Sequence, residues 1–258
     1  KPGSSLAIGS AFALACKGSV LADQGHFDPA HGCFDQALSL LGDTTHPVAN
    51  SARNWIAVAC IWQGRWQQAE AIAADCARNA ENTRSLLLLV VCRAAAGYAR
   101  WAGMGDERGL KQLVDAVNWI DSRDGHYYSS LYHGWLADAC AALGDEARAR
   151  HHAAHALWRT RQGERLGEAD ACRGLARLAL RAGDFGAAQH WLARAERSAQ
   201  ARSSRREAAL NQWTQAQAAE LRGGVAAGAE LRACAHDAFI AMAMHWHAQQ
   251  LAADTTRP

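Results

Sequence analysis

The stretch Leu180-Arg181-Ala182-Gly183-Asp184-Phe185 reads as the end of one helix, a glycine turn and the start of the next. Leucine, arginine and alanine are good helix formers, and a glycine readily takes the left-handed conformation that closes a helix C-terminus. Glycines in the same helix-stop context stand at Gly25, Gly64, Gly105, Gly144 and Gly223, and the intervals between the six are 39, 41, 39, 39 and 40 residues. A fixed period of that length marks an array of two-helix units.

Residues at constant distance from these glycines support the same reading. Five positions after each come Ala30, Ala69, Leu110, Ala149, Ala188 and Gly228, and twelve after come Ala37, Cys76, Val117, Ala156, Ala195 and Ala235. Seven before come Gly18, Ala57, Tyr98, Ala137, Ala176 and Ala216. Small side chains at fixed places let two helix axes approach closely, so these are packing positions rather than catalytic ones. Pro29 and Pro47 fall where helices should begin, where a missing N–H costs little. The register predicts helix pairs near 6–42, 47–80, 83–122, 126–161, 165–200 and 204–252, with the last helix continuous from 225 to 252. Together they form one domain over 1–258.

Composition agrees. The chain of 258 residues holds 59 alanines against 4 prolines and 22 glycines, and half of it is apolar, so the fold class is all-α. Basic and acidic residues number 27 and 25; the split is 11 against 12 up to residue 125 and 16 against 13 after it. That is too even for a nucleic-acid surface. The densest basic run, Arg202 to Arg206, reads as a solvated inter-helix turn. The longest unbroken apolar run is Trp55 to Trp62, eight residues, with Leu86 to Cys92 one shorter, so no membrane span is expected. The start, Lys1 to Ser5, lacks an initiator Met and reads as the beginning of a fragment of a longer signalling protein. The eight cysteines contain no C-x-x-C pair, which argues against zinc and redox motifs and for small buried hydrophobes in the reducing cytoplasm.

The pattern of a glycine, an aromatic two residues later (Phe27, Trp66, Phe185) and alanines at plus five and plus twelve resembles the tetratricopeptide repeat in its roughly 40-residue form. Three segments, 167–179, 203–209 and 238–250, are further similar to the C-terminal repeats of bacterial STAND-type ATPases. That group includes class III cyclase–ATPase fusions and maltose-regulator-like activators. The resemblance implies a right-handed α-α superhelix and a sensor or interaction role. Its partner would be a protein or peptide, or an adjoining ATPase or cyclase domain of the parent chain; a small effector is the alternative. No phosphate-binding G-x-x-x-x-G-K-[ST] motif occurs here, so nucleotide chemistry would lie outside this segment and no cofactor is expected.

In such a superhelix the first helix of each pair lines the concave groove. This assigns Asn54, Val58 and Trp62 in the second pair, Asp138 in the fourth, Asp170, Arg173, Arg177 and Arg181 in the fifth, and Trp213, Gln217 and Glu220 in the sixth. The three arginines recur every four residues, and guanidinium forks suit bidentate capture of a carboxylate or phosphate; salt bridging to Glu168, Asp170 and Asp184 is the other reading. Trp101, Trp119, Trp135, Trp158 and Trp191 are expected in the core.

His151 and His155 share a helix face, but no glutamate follows the first histidine as a metalloprotease helix requires, so the histidines are read as surface residues and no metal site is assigned. No nucleophile elbow is present, and catalysis is not expected. A six-hairpin α/α toroid enzyme would need paired carboxylates on long loops. Asp121, Asp124, Asp145 and Asp184 sit instead in short turns, where helix capping accounts for them.

Overall fold

The computed structural model describes residues 4–42 and 46–254; Lys1 to Gly3, part of the N-terminal stretch read above, lie outside them. The described residues form thirteen helices: α1 (Ser5–Asp23), α2 (Phe27–Leu41), α3 (Pro47–Gln63), α4 (Trp66–Asn82), α5 (Leu86–Met104), α6 (Glu107–Asp121), α7 (Ser129–Leu143), α8 (Glu146–Arg161), α9 (Glu168–Arg181), α10 (Phe185–Ala201), α11 (Arg205–Leu221), α12 (Val225–Ala241) and α13 (His245–Asp254). The chain divides into two compact units, one up to residue 119 and one from residue 120. Consecutive helices pair antiparallel. In the first unit α1 lies on α3 and α3 on α5; in the second α7 lies on α9 and α9 on α11. First helices thus stack on first helices, as a helical repeat requires.

All six periodic glycines have positive φ, from 66° at Gly105 to 86° at Gly25. A side chain at such a position would crowd the following carbonyl, so glycine is the low-cost residue. A second left-handed series joins one pair to the next: Gly42, Arg84, Asp124, Gly163, Ser203 and Ala243, at intervals of 42, 40, 39, 40 and 40 residues. Four of these six carry side chains, which is why the sequence shows one period of turns where the backbone has two.

The last of the second series breaks the helix expected over 225–252. The Met244 N–H donates to the Phe239 carbonyl at 2.8 Å and Ala243 N–H to that of Ile240 at 3.0 Å. Both Phe239 and Met244 are fully buried, and this hydrogen-bonded closure holds Ala243 left-handed without a glycine.

The fixed-offset small residues lie where the helices meet. Ala30, Ala57, Ala69, Ala156, Ala176, Ala195, Ala216 and Ala235 are all wholly inaccessible. One cluster of the second unit joins Ala137, Ala141, Ala149, Ala153, Ala156 and Ala171 with Cys140, Leu175 and Leu178. Each methylene-sized group contributes on the order of 0.8 kcal/mol, so this core gains by number and close approach.

Pair three departs from the series. All three of its fixed-offset positions hold larger residues: Val117 is buried, whereas Tyr98 and Leu110 are only half-buried, and the helices cross one residue before each of those two, at Gly97 and Gly109. A Cβ on either glycine would come within 2.6 Å of the other's carbonyl oxygen.

Six of the eight cysteines are buried; Cys16 is half-buried and Cys234 exposed, and all are free thiols. Two helices, α1 and α5, are long and apolar enough by length and composition to cross a membrane. Unbroken runs miss them because Lys17, Arg93 and Arg100 interrupt each run without lowering mean hydropathy far. Half of the apolar window of α5 is buried within the protein, as a core helix requires.

Candidate functional site

The residues assigned to a groove fall into both units, and most of them are engaged by neighbouring helices. In the first unit Asn54, Val58 and Trp62 are buried, at 3%, 1% and 4% exposure, with the Trp62 ring 6.2 Å from that of Trp55. In the second unit the polar side chains of the first-helix face join one helix to the next. Arg177 pairs with Asp138 across α9 and α7. Arg181 donates to the carbonyls of Ala141 and Ala142, closing the last turn of α7, where a cation also suits the helix dipole. Looking forward, Trp213 Nε1 and Gln217 Nε2 donate to Asp254 Oδ2 of α13 at 3.1 and 3.3 Å.

Arg173 is the most enclosed of these. Its guanidinium donates to Asp170, to Glu207 and, at 3.0 Å, to Asn211 Oδ1. Arg206 Nη2 reaches the other Glu207 oxygen at 2.6 Å, and Arg202 Nη2 stands 3.7 Å from it. Glu207 and Arg206 are buried at 0% and 2% exposure. The run Arg202 to Arg206 is therefore only in part a solvated turn: Ser203 and Arg205 are exposed, but Ser204 and Arg206 are buried. Burial raises the Glu207 carboxyl, but three guanidinium groups outweigh it and hold the group below its ordinary range. Asp170 goes the other way, raised by burial and by the Glu207 charge. Of the carboxylates offered as alternative partners for the arginines, Asp170 takes that role; Glu168 pairs with Arg165 and Arg194, and Asp184 caps α10 through the Ala187 N–H.

A second polar cluster, not assigned from the sequence, sits where the end of α6, α7 and α8 meet. His133 Nε2 and Asp121 Oδ1 are 3.2 Å apart, and His133 Nδ1 and His152 Nδ1 3.1 Å. With a carboxylate accepting from Nε2–H, the Nδ1 of His133 becomes the acceptor for His152 Nδ1–H. His155 stacks on His133 with ring centroids 4.8 Å apart, and His151 lies 4.7 Å from His155. Burial, then the neighbouring imidazoles, hold His152 down to about 3 and His155 below its usual value. Both rings are neutral at pH 7.

This cluster backs an open pocket of about 420 Å³, rimmed by Asp124, His126, Trp158 and Arg159. Trp158 is 48% exposed, which corrects its expected place in the core. His152 is buried rather than on the surface. Asp121 and Asp124 form no N-cap as Asp145 does; Asp121 closes α6, where a carboxylate opposes the helix dipole, and binds His133 instead. The loop between α6 and α7 also holds Tyr128 left-handed at φ 53°, a strained conformation for an aromatic residue.

The i, i+4 spacing of His151 and His155 was the available sequence signal. It could not show that His133 and Asp121, from two other helices, meet the same face. Among the described residues no group of three or more histidines, cysteines or carboxylates could hold a metal ion. No protein-family model and no curated protein matches the chain.

Proposed function

We propose that the chain is a non-catalytic tetratricopeptide-like module, its helix pairs winding into a right-handed superhelix. It binds a protein or peptide partner, or an adjoining domain of a longer cytoplasmic signalling protein. The observation that carries this reading is the half-exposed Trp158 over an open pocket, in contrast to the polar cluster around Glu207, which is buried between helices. Exposed tryptophan beside polar groups is the usual composition of an interaction hot spot. The pocket lining offers one hydroxyl, Ser129, and no thiol; of its imidazoles, His133 is hydrogen-bonded to Asp121, His155 stacks on His133, and His126 stands beside Asp124. That arrangement fixes surfaces better than it moves protons.

The test is selection from a displayed random-peptide library on the purified chain, followed by titration of the selected peptides. Saturable binding that Trp158→Ala weakens is expected. A library that yields no saturable binder, or binders indifferent to every substitution at the pocket and at the first-helix face, would overturn the reading. A small-effector sensor is the second reading, favoured by the pocket volume, which is that of a small-molecule site.

A further inference from the structure

We infer that the pocket between the end of α6, α7 and α8 is a cation site that takes a protonated amine or a guanidinium, the head group of a lysine or arginine side chain or of a free polyamine. This rests on the reading of that pocket as the binding site and names the chemistry it accepts.

The charge balance of the lining is the first argument. Its one guanidinium, Arg159, is already committed: Nε and Nη2 donate to Glu164 Oε2, both at 3.2 Å, and Nη2 also to the His126 carbonyl at 3.3 Å. Two carboxylates remain. Asp124 is almost fully exposed, with His126 Nε2 3.4 Å away, and the side chain of Asp121 is 38% exposed while one oxygen is held by His133. Burial raises the Asp121 carboxyl, but the His133 hydrogen bond and the surrounding imidazoles outweigh it, so the group stays ionised. His152 and His155 remain neutral and cancel neither charge.

Shape and surface are the second argument. The exposed indole of Trp158 already has the Arg159 guanidinium 5.6 Å from its ring centroid, and an indole face attracts a cation more strongly than any other side-chain ring. An anion would meet two carboxylates with no free guanidinium; a neutral apolar group would leave Asp121 desolvated without a counter-charge. An organic cation satisfies the ring and the carboxylates together.

The experiment titrates the whole chain with N-acetyl-lysine amide, N-acetyl-arginine amide and spermidine, with N-acetyl-norleucine amide as the uncharged control. Binding is followed by calorimetry and by the indole N–H resonance of Trp158, identified by its loss in Trp158→Phe. Saturable binding of the cations and none of the control is expected. Asp124→Asn, a change at an exposed side chain, should weaken it about tenfold, and Asp121→Asn with unchanged melting temperature should do so at least as strongly. The lysine and arginine probes binding more tightly than spermidine would assign the site to a peptide side chain, and the reverse order to a free polyamine. Equal binding of the norleucine control, or cation binding unmoved by both aspartate substitutions, would overturn the proposal. Peptides from the library that still bind the Asp121→Asn and Asp124→Asn variants would leave the module reading standing while removing this one.

Discussion

Two polar clusters in the second unit are built from the same kinds of side chain and end differently. Around Glu207 three arginines, Asp170 and Asn211 are enclosed, and α13 lies over them, with buried His247 tilted against Phe239 at a centroid distance of 5.5 Å. Around His133 the histidines and Asp121 are bonded on one side and open on the other, beside a half-exposed indole. A cluster whose charges pair with one another inside the fold gives a ligand no access; its chemistry is spent on holding helices together. Residue type alone does not distinguish the two. What differs is whether another helix covers the cluster.

The comparison can be broken most forcefully at its closed end. Glu207→Ala leaves three guanidinium groups around a missing charge and should cost about 3–5 kcal/mol in a denaturant titration. Arg173→Ala should cost a similar amount, because it leaves Glu207 and Asp170 buried without the guanidinium they share. Ala156→Leu overpacks the α8 surface behind the histidines and should destabilise by about 1–3 kcal/mol.

Acid acts on both clusters. His152 and His247 titrate near 3 in the folded chain, and His155 also lies below 6.5. The unfolded state therefore binds protons first, and stability falls as pH drops from about 6.5 towards 3. Glu207, held low, adds a further loss below its ordinary range, whereas Asp170, held high, gains on protonation and partly offsets the histidines. A lower melting temperature at pH 5 than at pH 7.5 is expected, with His152→Gln flattening the slope.

Ala243→Gly should relieve the left-handed turn that brings α13 over the closed cluster, stabilising by up to about 1 kcal/mol. Smallest is Trp158→Ala, which removes a half-exposed ring and should change stability least while changing binding most. A loss above about 2 kcal/mol would mean that this ring is a core element and that the pocket is closed in solution.

Much of the fold was legible because its signal is local. A helix that must stop and reverse within a few residues favours glycine, and helices that cross closely need alanine, so six turns and their flanking small residues can be read from the chain. The inter-pair turns were illegible for the converse reason. Arg84, Asp124, Ser203 and Ala243 are exposed and are held left-handed by the hydrogen bond that the residue after each returns to the helix it closes, a closure that these residue types do not announce as glycine does. Gly97 and Gly109 show the same limit, since only the crossing itself reveals that pair three meets one residue early.

The candidate site follows that division. By itself the sequence determined an all-helical repeat, its period, its alanine seams and the face on which Asp138, Arg173, Arg177, Trp213 and Gln217 stand. Only the tertiary structure decided that this face is largely spent on joining helices, that Arg206 and Glu207 are buried, and that Asp121, His133 and Trp158 share one open pocket. Secondary structure is written in spacings of three to forty residues. Whether a charge is free or satisfied depends on groups brought from other helices, and that is settled only when the pairs stack.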